Sequence, residues 1–114
     1  MLPKRKERPR MNVREEQREF PAHRAWVRLH ECVVPGCDRG PIEAAHVRKG
    51  LPEGEQGGTG LKPHDKWVVS CCAAHHAEQH VLGELTFQSK YGIDLVAIAK
   101  EFARLSPHRW RWEE

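Results

Sequence analysis

Apolar positions fall into short blocks separated by long polar stretches, and the spacing within each block predicts its element. Residues 1–19 are charged, poor in apolar side chains and interrupted by Pro3 and Pro9, which predicts an unpacked arm that turns helical from Val13 onward. Pro21 suits the first turn of a helix over 22–29, where Ala22, Trp26 and Leu29 recur on one face. Residues 42–47 read as a strand, and residues 67–71, with β-branched Val68 and Val69, as its antiparallel partner. Between them, residues 49–66 carry five glycines and two prolines and read as loop. A helix follows Cys72 to about Leu82, with Gly83 as its stop, and Leu95, Ile98, Ala99, Phe102 and Leu105 mark a last amphipathic helix between a turn at Gly92 and Pro107.

This order is helix, turn, hairpin, helix and closing helix within 114 residues, which is one domain at 21–106 between an arm at 1–20 and a short tail at 107–114. Hydrophobic residues make up 39% of the chain, little for a fold held by burial alone, so a structural metal would supply missing stability. The net charge of +3 is concentrated at the start: residues 1–20 hold seven Lys or Arg against four Glu, and the remainder is balanced. A basic arm suits an anionic partner such as nucleic acid. There is no apolar leader and no run of eighteen apolar residues, which predicts a cytoplasmic protein without a membrane partner. In that reducing setting the four cysteines read as free thiols, metal ligands among them, rather than as two disulfides.

The densest chemistry is Cys72-Ala73-Ala74-His75-His76-Ala77-Glu78-Gln79-His80. Thiolate and imidazole are the ligands zinc prefers, and Cys32, Cys37, Cys72 and His75 form a Cys3His set of the closed, structural kind. Cys71 competes with Cys72, but strand alternation sends Cys71 to the core and leaves Cys72 at the strand–helix junction. His76 and His80, four apart, share a helix face and can hold a second ion, whereas His75 points about 100° away, toward the cysteines. Two protein imidazoles leave positions for water and a phosphate oxygen, so such an ion can act on a phosphodiester. His46, at the end of the first strand, has the chemistry of a general base, and Asp65 could accept its Nδ1 proton if the hairpin folds back, with His64 as a substitute. Arg48, Lys49, Lys62 and Lys66 flank the glycine-rich loop where DNA phosphates would lie. Trp110 and Trp112, interleaved with Arg109 and Arg111, could stack on bases or pack against the arm.

The order and spacing of these pieces resemble the HNH endonuclease family with its ββα-metal (His-Me finger) fold, and more narrowly its small prophage-type members, which include the RecA-dependent phage nuclease. The matching pieces are Cys32 and Cys37, Glu43-Ala44-Ala45-His46-Val47-Arg48, Gly58-Thr59-Gly60-Leu61-Lys62-Pro63-His64-Asp65, Cys72 with His75, His76 and His80, and Tyr91-Gly92-Ile93-Asp94, spanning about residues 22–105. The resemblance implies an α+β fold, a zinc-stabilised ββα-metal core with flanking helices. It also implies single-metal hydrolysis of DNA by His46 as base, with Asp65 at the asparagine position and Mg2+, Mn2+ or another divalent transition ion on His76 and His80. DNA is the implied partner, with a recombination or phage DNA-processing protein beside it, and the chain is expected as a monomer or homodimer. Two positions depart from the broad family: Ala45 stands where many members place a metal ligand, and Asp65 replaces asparagine with a charge that disfavours phosphate. A zinc-containing nucleic-acid-binding module without catalysis is the competing reading, and a purely structural zinc protein the third.

Overall fold

The computed structural model describes residues 18–55 and 63–113. The expected arm, the Gly58–Leu61 piece of the motif and Lys62 therefore lie almost wholly outside the described residues. Within them the protein is a small α+β unit: α1 (Pro21–Val27), β1 (Ile42–His46), β2 (Val68–Cys72), α2 (Ala73–Leu82), α3 (Glu84–Tyr91), α4 (Leu95–Leu105) and a 3-10 turn (Arg109–Arg111). None of the described helices is long and apolar enough to cross a membrane.

β1 and β2 pair antiparallel, with Ile42 opposite Cys72 and His46 opposite Val68. All five residues of β2 are buried, because helices cover both faces of this two-stranded sheet. Ala45, Val47, Val69 and Cys71 join Phe87, Leu95 and Ala99 in the core.

α1 starts with Pro21 in its first turn, as expected, but buries His23 and Val27 rather than the anticipated stripe. The helix ends at Val27, so Leu29 falls in the following turn and stays exposed. α2 runs directly from β2: the Cys72 sulfur accepts the His75 N–H and caps it, and Gly83, at φ 83°, ends it.

α3 was not anticipated. Its only fully buried residue is Phe87, which leaves no periodic stripe to read, and Gly83 in front of it reads as a stop. It closes at Gly92 in the left-handed conformation (φ 64°), which glycine adopts freely. The Asp94 side chain then accepts the Ala97 N–H at 3.1 Å and caps α4. Leu95 and Ala99 are fully buried, with Ile98 and Phe102 packed beside them, while Leu105 at the helix end is exposed. The expected tail is also part of the packing: Trp112 sets its ring edge to face against Phe20 (5.2 Å) and His23 (4.9 Å).

Candidate metal and catalytic centre

The turn Val34-Pro35-Gly36-Cys37 is closed by the Cys37 N–H on the Val34 carbonyl at 3.1 Å, with Gly36 at φ 78°, so Pro and Gly occupy the positions a type II turn requires. Two bonds pin this segment to β2: Val33 N–H to the Ser70 carbonyl (2.8 Å) and Ser70 Oγ to the Glu31 carbonyl (2.6 Å). Cys32 and Cys37 thereby face the junction of β2 and α2, which presents Cys72 and His75.

The ligand atoms of Cys32, Cys37, Cys72 and His75 all lie within 4.8 Å of one another. His75 Nδ1 is 3.4 Å from Cys32 Sγ and 3.3 Å from Cys72 Sγ, and Cys37 Sγ is 3.9 Å from Cys72 Sγ. Around a tetrahedral zinc the corresponding edges are about 3.6 Å for sulfur to nitrogen and about 3.8 Å for sulfur to sulfur. The four groups can therefore hold a metal ion such as zinc, and no disulfide joins the cysteines. Burial opposes ionisation of Cys72, but the His75 N–H and the neighbouring thiols outweigh it and hold its pKa below the usual thiol range. Cys71 lies in the core beside this site, and burial pushes its thiol up, out of the thiolate range.

A second constellation brings His46 to Asp65. His46 Nε2 lies 2.8 Å from Asp65 Oδ1, so Nε2 and not the expected Nδ1 meets the carboxylate. The carboxylate is only 4% exposed, and its other oxygen, Oδ2, accepts the Phe20 N–H at 2.7 Å and forms an ion pair with Arg24 Nε at 3.0 Å. The Asp65 N–H in turn donates to the Arg18 carbonyl at 2.8 Å. Burial would raise the Asp65 pKa, yet His46, the Phe20 N–H and Arg24 together hold it below the ordinary carboxylate value. The Arg24 guanidinium offsets the charge of this carboxylate. His64 does not substitute for Asp65: it stacks on Phe20 and accepts the Lys66 N–H, and burial pulls its pKa down to about 4.

A third group lies on β1 and α2. His76 Nδ1 is 2.7 Å from Glu43 Oε1, and His76 Nε2 is 3.2 Å from His80 Nε2. Among the described residues His46 makes no hydrogen bond or ring contact with His76 or His80. Of the expected phosphate-binding cations, Lys62 lies outside the described residues and the other three have different surroundings. Lys66 pairs with Glu55 at 3.2 Å, because Glu55 is already held by the Trp67 indole N–H. The backbone N–H groups of Arg48 and Lys49 bind the Glu84 carboxylate, leaving their side chains exposed. Trp112 packs inward, whereas Trp110 is exposed and carries Arg111 over its ring at 4.8 Å.

A family model described as protein of unknown function (DUF968) matches residues 7–106, most of the chain. The chain belongs to the DUF968 family. One relative is the uncharacterized protein YdfU of Escherichia coli (strain K12), 36% identical over 73 residues, or 64% of this chain. That match covers 19% of YdfU, so the chain spans about a fifth of the relative's length. No solved structure matches this DUF968 member.

Three residues of these constellations had no role in the sequence reading. Phe20 and Arg24 act on Asp65 from 45 and 41 positions away, and no local pattern announces such a contact. Glu43 stands inside the motif around His46, and its signal was an acidic side chain on a strand otherwise made of apolar residues and that histidine.

Proposed function

We propose that the protein is a metal-dependent endonuclease of the HNH, ββα-metal type that hydrolyses DNA phosphodiester bonds with low intrinsic sequence preference. The observation that carries this reading is the His46–Asp65 pair. A buried carboxylate, fixed by Phe20 and Arg24, holds the Nε2 proton of His46 and so leaves the Nδ1 lone pair free to act as base. A hairpin that continues directly into the helix bearing His76 and His80 supports the same fold assignment.

In this mechanism His46 Nδ1 takes a proton from water as the water oxygen bonds to phosphorus and the phosphorus–oxygen bond to the leaving sugar breaks. Asp65 stabilises the imidazolium that results, which later returns its proton to solvent or to the leaving oxygen. His76 and His80 would hold a divalent ion, Mg2+, Mn2+ or another transition ion, and their 3.2 Å spacing fits a shared cation. Such an ion supplies stabilisation of the negative charge on the phosphate and leaving oxygen. Cys32, Cys37, Cys72 and His75 hold structural zinc and fix the start of α2, and thiols free of disulfides suit a cytoplasmic setting. DNA is the partner, with Arg48 and Lys49 the exposed cations nearest His46 in the chain.

The test is incubation of purified, zinc-loaded protein with supercoiled plasmid and Mg2+ or Mn2+, beside the same mixture in chelator. Nicked or linear product that depends on added metal, spread over many sites, is expected. DNA binding without cleavage, on single- and double-stranded substrates, would replace this reading with the non-catalytic zinc module. Sharp discrete fragments would refute the low sequence preference.

A further inference from the structure

We infer that Glu43 is a positioning residue that sets the tautomer of His76, so that His76 and His80 together chelate a late first-row transition ion. This rests on the reading that these two histidines hold the nuclease's ion, and it adds how that site is built and which ion it selects.

His76 Nδ1 stands 2.7 Å from Glu43 Oε1, an arrangement that fixes the ring proton on Nδ1 and leaves Nε2 with its lone pair. Metal-binding histidines commonly use their second nitrogen this way, donating to a carboxylate that fixes the ring and raises its basicity. The freed nitrogen faces His80: the two Nε2 atoms are 3.2 Å apart. Two imidazole nitrogens bound at about 2.0–2.1 Å to one tetrahedral ion stand about 3.3 Å apart. The rings lie on successive turns of α2, with centroids 4.8 Å apart, so the helix itself maintains the spacing.

Glu43 is not a third ligand in this geometry. It occupies the opposite nitrogen of His76 from the one facing His80, so the carboxylate and the His80 imidazole do not converge on one point. Glu43 therefore acts through His76. The donor set is two neutral nitrogens, which favours Co2+, Ni2+ or Zn2+ over Mg2+, an ion that prefers oxygen ligands and sheds water reluctantly. The site is separate from the Cys3His cluster, although His75 and His76 are adjacent: they leave the helix on different faces, one toward the buried thiols and one toward Glu43.

The experiment uses the full chain with its cysteine site already filled with zinc, titrated with Co2+ by absorption and with Ni2+ by calorimetry. One further equivalent is expected to bind, with equimolar Mg2+ unable to displace it. His80→Ala should abolish this second equivalent, and Glu43→Gln should weaken it roughly 10–100-fold while leaving the zinc content and circular dichroism unchanged. Histidine 15N NMR of the metal-free second site should show His76 protonated on Nδ1 in the parent and lose that preference in Glu43→Gln. A Glu43→Gln variant that binds as tightly as the parent would overturn the inference. So would the absence of any second equivalent, which would leave the two rings joined by an N–H···N bond. Tight, Glu43-dependent binding without DNA cleavage would remove the nuclease reading and leave this one standing. Cleavage with Glu43-independent binding would do the reverse.

Discussion

His23 should make the protein progressively less stable as pH falls below 6.5. Its side chain is fully buried on the inner face of α1, beside Trp26 and Trp112, with Nδ1 2.8 Å from Ser106 Oγ and Nε2 without a hydrogen-bond partner among the described residues. Burial disfavours the imidazolium, Asp65 partly offsets this and His108 adds to it, so the pKa falls from 6.5 to about 4. In the unfolded chain the ring titrates near 6.5. Above that pH both states are neutral and His23 adds no pH dependence. Below it the unfolded state takes up a proton that the folded state refuses, and the penalty levels off only below about pH 4. At about 1.4 kcal/mol per tenfold change in proton affinity, the loss attributable to His23 reaches about 3 kcal/mol by pH 4. The assay is urea unfolding followed by tryptophan fluorescence from pH 7 to pH 4, on zinc-loaded parent and His23→Phe. Phenylalanine keeps the ring and removes the titration. Ser106 Oγ still accepts the His108 N–H at 3.2 Å, so the variant should lose only about 1 kcal/mol at pH 7. Acid effects on the zinc ligands and on His64 are common to both proteins and cancel in the difference. The advantage of the parent should shrink as pH falls and then reverse. Parallel curves would refute the claim that His23 is buried neutral.

Removing zinc with a strong chelator, or replacing Cys37 by Ser, should lower the melting temperature sharply, because the ligands tie the Pro35–Gly36 turn to the β2–α2 junction; unchanged melting would dismiss the cluster as a structural site. Phe87→Ala should cost about 3–5 kcal/mol in denaturant unfolding, since the ring is wholly buried in the core; a loss under 1 kcal/mol would contradict its position there. Asp94→Ala should cost about 1 kcal/mol by removing the α4 cap, and Asp94→Asn should restore most of it.

The legible parts of this chain are those whose signals are local. Both strands, α2 with its stop at Gly83 and the amphipathic α4 announce themselves by spacing. The Cys3His cluster announces itself because each pair of ligands is close in sequence and zinc chemistry supplies the join. Short range also made His76 and His80 legible as neighbours on one helix face. What stayed hidden depends on the tertiary approach of distant segments. Glu43 reaches His76 across 33 positions, and Arg24 and Phe20 reach Asp65 across more than 40. The pairing of Lys66 with Glu55, which the Trp67 indole N–H holds beside it, has no local signal either. α3 stayed hidden because a single buried phenylalanine sets no period, and Leu29 misled because the helix it seemed to continue stops two residues earlier.

The central claim is that His46, oriented by Asp65, is the base of a DNA-hydrolysing site. The most direct measurement is the rate of supercoiled plasmid cleavage, with Mn2+ or Mg2+, by the parent and by a His46→Ala variant that retains zinc and fold. A metal-dependent parent rate that falls roughly 10²–10⁴-fold in the variant is the predicted result. Equal cleavage by both proteins, or none by the parent with any divalent ion, would contradict it.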